Sequence, residues 1–256
     1  MKIGIVGYGW VGKAMHKLFP DAQIYDCYQS DYNRPLTGCD LAFVAVPTPW
    51  SSWSESAELD CSAVEDAVGK CGCDFIVIRS TTHPGFADRL SKKFPNKRIV
   101  VQPEYLGESP QHPFLEMDSR QFMILGGEPE DRRRVIECYQ QVYNANITVR
   151  QVTRLEAEII KLTENRAIFY KIMQCQELYD ACEAAGVDYY TVRDAVYHDD
   201  PRFNLWWTFV YPQSRGANSK CIPKDVHAWC AWAESVGVDT QATRSLLEYN
   251  SILTSK

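Results

Sequence analysis

Several features that would assign this chain to a common class of protein are missing. It has no local cluster of lysine and arginine and a net charge of −6, which argues against a general nucleic-acid binder. No apolar run reaches the roughly 18 residues that a membrane span needs. The sequence opens on MKIGIVGYG, without the charged and apolar regions of a secretory leader. We therefore expect a cytoplasmic protein with no nucleic-acid or membrane partner.

Cysteine is plentiful, but the spacings typical of metal sites are missing. The ten cysteines include no Cys-x-x-Cys pair and no zinc-type spacing, and Cys71-Gly72-Cys73 is the only tight pair. In a chain of 256 residues without a leader, free thiols in a reducing compartment are the expected state. We therefore predict no metal site.

Short apolar runs alternate with amphipathic segments through the first 150 residues. This alternation predicts a parallel sheet with both faces covered by helices. The runs are Lys2–Val6, Gln23–Tyr25, Leu41–Val46, Phe75–Arg79, Ile99–Val101 and Phe122–Leu125, and the amphipathic segments are Trp10–Phe19, Ser62–Cys71 and Gly85–Phe94.

The pattern changes near Arg150. Leu155–Ala185 carries apolar residues at helical spacing and is followed by Gly186, which predicts one long helix. Shorter helices are predicted at Val187–Tyr197, Asp225–Val236 and Thr240–Ile252, with a loop at Asn204–Ser219. We thus predict an α/β protein in which a Rossmann-type, doubly wound parallel sheet (residues 1–150) precedes an all-helical domain with a long central helix (151–256).

A glycine-rich turn stands where the first predicted strand meets the first predicted helix. Gly7 suits a tight turn, Gly9 allows the backbone to approach a pyrophosphate, and Gly12 allows helix and strand to pack closely. The next strand ends in Asp26, whose carboxylate can accept a ribose 2'-hydroxyl and would repel a 2'-phosphate. The turn predicts binding of NAD rather than NADP, while a ligand-free turn and a solvated Asp26 are the alternatives.

Four further stretches carry groups that could do chemistry. They are STTHPG (Ser80–Gly85), QPEYLGE (Gln102–Glu108), EAEIIKLTEN (Glu156–Asn165) and SKCIPKD (Ser219–Asp225). Each also has an ordinary explanation. Lys161 could be a surface lysine, Glu104 and Glu108 solvated loop acids, and Cys221 a small core residue.

Taken together and in this order, these stretches resemble the UDP-glucose/GDP-mannose dehydrogenase family. The resemblance runs through GYGWVG, VPTP (Val46–Pro49), STTHPG, PEYLGE, EAEIIKLTEN and CIPKD, and covers essentially the whole chain. It implies a cofactor site formed by Gly7, Gly9, Trp10, Val11, Gly12, Asp26, Val46, Pro47, Thr48 and Thr81. It implies substrate contacts from Glu104, Tyr105, Leu106, Lys161, Asn165, Arg202 and Lys224.

The resemblance also implies a four-electron oxidation of a primary alcohol to a carboxylate with two NAD in turn. Asp225 and Lys161 would relay a proton, and Cys221 would attack the aldehyde. Lys161 and Asn165 would stabilise the oxyanion of the thiohemiacetal. Hydrolysis of the thioester would fall to Glu108, with Thr81 and Glu104 positioning the water.

Two departures from the family pattern affect which substrate the chain is expected to bind. The chain is predicted to be a short form without the family's C-terminal nucleotide-binding domain. The glycine-rich loop expected before the cysteine keeps only Gly216, while Asn218 and Ser219 add side chains there. A two-electron β-hydroxyacid-type dehydrogenase using Lys161 and a catalytically silent NAD-binding module therefore stay open as alternatives.

Two groups of apolar residues in the helical domain call for an explanation. Exposed positions near the C-terminus (Leu246, Leu247, Ile252 and Leu253) predict a homodimer through this domain. The aromatic residues that follow Arg202 are either core or dimer interface, or a stacking site for substrate. They are Phe203, Trp206, Trp207, Phe209 and Tyr211.

Overall fold

A computed structural model describes residues 1–50, 59–107, 121–140, 142–143 and 147–255. The chain forms two compact units. The sheet unit comprises the described residues up to Lys161, and the helical unit extends from Leu162 to the C-terminus. The domain border near residue 150 stays a prediction.

The sheet unit is built on a seven-stranded sheet of order β2-β1-β3-β4-β5-β6-β7. All neighbouring strands are parallel except β5 and β6. Strand β2 lies on one side of β1, and the chain then crosses to β3 on the other side. The strand order therefore reverses between β1 and β3. The predicted α/β fold is confirmed. The strands are β1 (Ile3–Val6), β2 (Gln23–Tyr25), β3 (Leu41–Val44), β4 (Phe75–Ile78), β5 (Arg98–Val101), β6 (Phe122–Gly126) and β7 (Thr148–Val152).

In the described residues, four helices cover this sheet, in addition to the first turns of the long helix. They are α1 (Trp10–Leu18), α2 (Ser62–Lys70), α3 (Phe86–Lys93) and α4 (Pro129–Tyr139). Strands β1, β3 and β4 are buried along their whole length, as expected for the centre of a parallel sheet. The sequence did not predict β7 or α4. Strand β7 lies at the sheet edge and carries exposed polar residues, while α4 has few apolar positions.

The long predicted helix is present as α5 (Arg154–Ala185), followed by α6 (Tyr189–Tyr197), α7 (Ile222–Ser235) and α8 (Gln241–Thr254). Helix α7 begins earlier than the predicted Asp225, because Pro223 suits the first turn of a helix. Gly186, with φ +69°, ends α5 as predicted. None of the helices in the described parts of the chain is both long and apolar enough to cross a membrane.

The helical unit has its own core, in which α5, α7 and α8 contribute Phe169, Met173, Val226, Cys230 and Leu247. The dimer prediction assumed that the apolar positions near the C-terminus are exposed, and this core shows that two of them are not. Leu247 and Leu253 are buried within it, whereas Ile252 is 55% exposed. The homodimer itself stays a prediction.

Candidate active site

The glycine turn has the close approaches that its sequence predicts. Gly7 has φ +91°, and a Cβ added to it would lie 2.4 Å from the carbonyl oxygen of Ala45. A Cβ on Gly12 would lie 2.0 Å from the carbonyl oxygen of Gly7, whereas one on Gly9 would meet nothing within 4 Å. The turn is therefore packed on its inner side and open at Gly9, where helix α1 begins with Trp10 and Val11. This open backbone at a helix N-terminus fits a pyrophosphate.

Asp26 follows β2 and reaches back to the same turn. One carboxylate oxygen accepts the backbone N–H of Tyr8 at 2.7 Å, and the other accepts that of Tyr28 at 2.9 Å. Partial burial disfavours the ionised form, but these bonds and one from Gln29 outweigh it and lower the pKa of Asp26. Asp26 is therefore an ionised, oriented acceptor beside the turn rather than a solvated strand end, which fits a ribose hydroxyl.

The loops after β3 and β4 are joined at the same edge of the sheet. Ser80 Oγ donates to the carbonyl oxygen of Val46 at 2.7 Å and accepts from its N–H at 2.9 Å. A Cβ on Gly7 would lie 3.2 Å from Val46 Cγ1, so this loop borders the glycine turn. Pro47 is exposed, Thr48 is buried, and Thr81 is half-buried. The predicted cofactor residues thus lie along one edge of the sheet unit.

Glu104 is buried, so its alternative as a solvated loop acid is wrong. It forms an ion pair with the fully buried Arg79, and its other oxygen accepts the N–H groups of Tyr105 and Leu106, both at 2.7 Å. Glu104 therefore fixes the start of the loop that leads to Glu108. Glu108 itself lies outside the described residues.

Lys161 is only 8% exposed, so its alternative as a surface lysine is also wrong. Its ammonium lies 4.8 Å from the centroid of the buried Tyr105 ring, a cation–π contact. The sheet unit therefore brings together Glu104, Tyr105 and Lys161, three of the residues predicted to contact substrate.

One buried acid in the sheet unit was missed by the sequence reasoning. Glu158 on α5 accepts hydrogen bonds from Thr82 Oγ1 and from the N–H groups of Gly85 and Ala87. Burial raises the pKa of Glu158 to about 7 against the opposing effect of these three bonds. Its position three residues before Lys161 was the only signal available, and such an acid usually lies on a solvated helix face.

The helical unit brings together the other predicted groups. Asn165 Nδ2 donates to one oxygen of Asp225 at 2.5 Å, and Lys224 Nζ lies 2.5 Å from the other. Asp225 is 1% exposed. Cys221 precedes the first turn of α7 and is exposed, so its alternative as a small core residue is wrong. The Asp225 N–H donates to the Cys221 carbonyl oxygen, which joins the thiol-bearing residue to this network.

Arg202 lies in the segment after α6 and pairs with Asp200 at 2.6 Å. It lines a shallow groove with Lys171, Tyr197 and Phe203. Phe203, Trp206, Phe209 and Tyr211 are each about half exposed, and Trp207 has φ +61°, a conformation that bulky residues rarely adopt. No group of histidine, cysteine or acidic side chains in the described ranges could hold a metal ion.

Comparison with known proteins covers most of the chain. Residues 26–147 match the NAD binding domain of the UDP-glucose/GDP-mannose dehydrogenase family, and residues 155–251 match its central domain. A UDP-glucose 6-dehydrogenase from Streptococcus pneumoniae is 26% identical over 198 residues, which are 73% of this chain and 48% of that protein. A GDP-mannose 6-dehydrogenase from Pseudomonas syringae pv. tomato is 25% identical over 87% of this chain and 53% of its own.

Solved structures share the fold. A UDP-glucose dehydrogenase from Pyrobaculum islandicum superposes with a TM-score of 0.78 at 20% identity, covering 98% of this chain and 68% of that one. A UDP-D-ManNAc dehydrogenase from Pyrococcus horikoshii gives a TM-score of 0.79 at 17% identity over the same shares. This chain spans about half the length of the curated relatives that it matches. It belongs to the UDP-glucose/GDP-mannose dehydrogenase family and carries the NAD binding domain of that family.

Proposed function

We propose that the protein oxidises the primary alcohol of a nucleotide sugar to a carboxylate, using two NAD in turn and Cys221 as nucleophile. The observation that carries this proposal is the buried Asn165–Asp225–Lys224 network at the start of a helix whose preceding residue is an exposed cysteine. Oxidation of an alcohol to a ketone or an aldehyde has no use for a thiol, whereas oxidation to an acid does. The relatives named UDP-glucose and GDP-mannose 6-dehydrogenase support a sugar nucleotide as substrate.

In the proposed reaction, Gly7, Gly9 and Gly12 hold the NAD pyrophosphate and Asp26 accepts a ribose hydroxyl, with Trp10, Val11, Val46, Pro47, Thr48 and Thr81 completing the cofactor site. NAD, when bound, accepts a hydride in each of the two oxidations. Asp225 and Lys161 are the proposed relay for the alcohol proton as the aldehyde forms. The Cys221 sulfur then bonds to the aldehyde carbon, and the oxygen becomes an oxyanion stabilised by Lys161 and Asn165.

The second oxidation leaves a thioester on Cys221, which water must cleave. Glu108 is the proposed base, and Thr81 and Glu104 are proposed to orient the water. The carbon–sulfur bond breaks, the thiol is restored and the carboxylate leaves. Glu104, Tyr105, Leu106, Arg202 and Lys224 are the remaining proposed substrate contacts. Each substrate consumes one water and two NAD, so two NADH form per carboxylate.

The number of NADH per substrate tests this proposal. Purified protein is incubated with excess NAD and a limiting amount of each sugar nucleotide or free sugar of a panel. The final NADH absorbance then gives the number of NADH formed per substrate. We expect two NADH per substrate for the wild type and loss of carboxylate formation in Cys221→Ser. Cys27→Ser, which removes another exposed thiol, is the matched control and is expected to keep the wild-type count.

The alternatives give different results in the same assay. One NADH per substrate, with equal turnover by Cys221→Ser, indicates a two-electron dehydrogenase in which Cys221 is idle. NADH binding without turnover on any member of the panel indicates a silent module. Either result contradicts the proposed mechanism.

We further propose that the protein works in the cytoplasm as a homodimer formed through the helical unit. Exposed apolar residues on that unit, which include Ile252, Val236 and Phe203, support this association. Light scattering that gives the mass of one chain would contradict it.

A further inference from the structure

Glu158 is a buried acid that has no part in the proposed reaction. It is 2% exposed and lies on α5, one turn before Lys161. Its Oε1 accepts from Thr82 Oγ1 at 2.8 Å and from the N–H of Ala87 at 2.9 Å, and its Oε2 accepts from the N–H of Gly85 at 2.7 Å. Thr82 and Gly85 belong to the segment that joins β4 to α3, and Ala87 lies in the first turn of α3.

These contacts make Glu158 the cap of another helix. Helix α3 begins after Gly85, which has φ +85° and no side chain to accept the first free N–H groups of the helix. Glu158 supplies that acceptor from 73 residues further along the chain. The carboxylate therefore fixes both the start of α3 and the end of the preceding loop.

The same loop is fixed at its other end by Ser80, whose hydroxyl bonds the backbone of Val46. Ser80 and Thr82 are both buried, and Thr81 between them is half-buried. Thr81 therefore lies between two anchors, one on the loop after β3 and one on α5. The loop follows β4, whose carboxyl end shares an edge of the sheet with the glycine turn after β1.

We propose that Glu158 is a positioning residue, which holds Thr81 in the conformation that NAD binding requires by anchoring Thr82 and capping α3. This inference rests on the proposed cofactor role of Thr81. Glu158 itself touches neither cofactor nor substrate in this proposal. It acts through the loop.

The ionisation state of Glu158 decides how well it can hold the loop. An ionised carboxylate only accepts hydrogen bonds, whereas a protonated one presents a donor to a site that already holds three donors. Burial raises its pKa to about 7, and the charge of Asp88 acts in the same direction. The other titratable or charged side chains of the adjoining elements are His83, Arg89, Arg154 and Lys161. The loop is therefore held more firmly above pH 7 than below it.

The test compares NADH affinity in matched variants of the whole chain, measured by fluorescence titration across neutral pH. Glu158→Gln keeps the shape of the side chain but places an amide donor among the three donors. Glu156→Gln is the control, because Glu156 lies on the same helix and caps only its own first turn, through Thr153. Thr82→Val removes one anchoring bond, and Thr82→Ser keeps the hydroxyl.

We expect Glu158→Gln to weaken NADH binding about tenfold above neutral pH, the cost of losing hydrogen bonds to a charged group. The wild type should bind NADH less tightly below about pH 7, and Glu158→Gln should remove this pH dependence. Glu156→Gln should keep both the affinity and the pH profile. Hydrogen exchange at the Gly85 and Ala87 amides is followed in parallel. Faster exchange with unchanged NADH affinity would overturn the inference, because Glu158 would then be a structural cap alone.

Two further outcomes are also decisive. If Glu158→Gln does not fold, weaker NADH binding by Thr82→Val than by Thr82→Ser supports the inference, and equal binding by the two overturns it. If the wild type binds NADH but turns over no sugar nucleotide, the proposed oxidation fails while the NADH titrations still decide the role of Glu158.

Discussion

Asn165 donates a hydrogen bond of 2.5 Å to Asp225, which joins α5 to α7 inside the helical unit. The carboxylate is buried, and its second oxygen is paired with Lys224. A buried carboxylate held in this way is costly to replace, because its loss leaves two donors without their acceptor. The pair therefore both stabilises the unit and fixes the residues proposed to act beside Cys221.

The first prediction concerns this carboxylate. Asp225→Asn should lower the free energy of unfolding by about 1–3 kcal/mol, since a charged acceptor is lost from a buried network. Urea unfolding followed by circular dichroism measures the change. Asp239→Asn is the control, because Asp239 is exposed and asparagine keeps the oxygen that accepts the Gln241 N–H. Equal stability of the two variants would contradict a structural role for Asp225.

The second prediction concerns the thiols. None of the ten cysteines, all of which lie in the described residues, forms a disulfide, and only Cys27 and Cys221 are exposed. Burial raises the pKa of Cys138 to about 11 and also raises that of Cys230. Iodoacetamide at neutral pH should therefore label Cys27 and Cys221 at least about tenfold faster than the seven buried cysteines, as followed by mass spectrometry of the peptides. Equal labelling rates in the folded protein would contradict the described burial.

The third prediction concerns the choice of cofactor. Asp26→Asn should weaken NADH binding about tenfold and reduce the discrimination against NADPH, because the negative charge that repels a 2'-phosphate is removed. Titration with each reduced cofactor measures both effects. Asp31→Asn, at an exposed acid in the segment that follows, should leave both affinities unchanged. An Asp26 variant that still rejects NADPH as the wild type does would show that another residue makes the choice.

The fourth prediction concerns the buried ion pair of Arg79 and Glu104. Arg79→Met should cost about 3–5 kcal/mol of stability, because it leaves a buried carboxylate without its partner charge. Adding Glu104→Gln should recover part of the loss. Lys70→Met, which breaks an exposed pair with Asp66, should cost less than about 1 kcal/mol. Thermal unfolding of the four proteins compares them, and no recovery in the double variant would contradict this explanation.

The fifth prediction concerns pH. The pKa of Glu158 rises from 4.5 to about 7 on folding, so the folded chain binds a proton more tightly than the unfolded chain. Stability should therefore fall as pH rises from about 4.5 to about 7, by up to about 3 kcal/mol from this one group. Glu158→Gln removes the titrating group and should flatten the curve in that window. Parallel curves for the two proteins in urea would contradict the assignment.

The periodic parts of the fold were predictable, and the reason is physical. Central strands such as β3 and β4 are uninterrupted apolar runs, and α5 carries apolar residues at helical spacing, so their type can be inferred from local sequence alone. Strand β7 could not be inferred in this way. It lies at the sheet edge with Arg150 and Gln151 exposed, and it is stabilised by pairing with β6 rather than by its own composition.

The same difference between local patterns and distant contacts applies to the candidate site. Gly7, Gly12 and Asp26 lie in a local pattern, and the structure gives them the geometry that this pattern predicts. The contacts of Glu158 and Glu104 depend on partners far away in the sequence. Gly85 precedes Glu158 by 73 residues, and Arg79 precedes Glu104 by 25 residues. Local sequence cannot distinguish such acids from solvated ones, which is why Glu158 was missed and Glu104 was given a solvated alternative.

The two exposed thiols lie in different units, Cys27 in the sheet unit and Cys221 in the helical unit. The natural chain therefore already contains attachment points for a donor and an acceptor dye without any engineered cysteine, and seven of the other eight cysteines are buried. Energy transfer between the two dyes would report the separation of the units in solution. The same labelled protein, with and without NADH, would reveal whether the cofactor changes that separation.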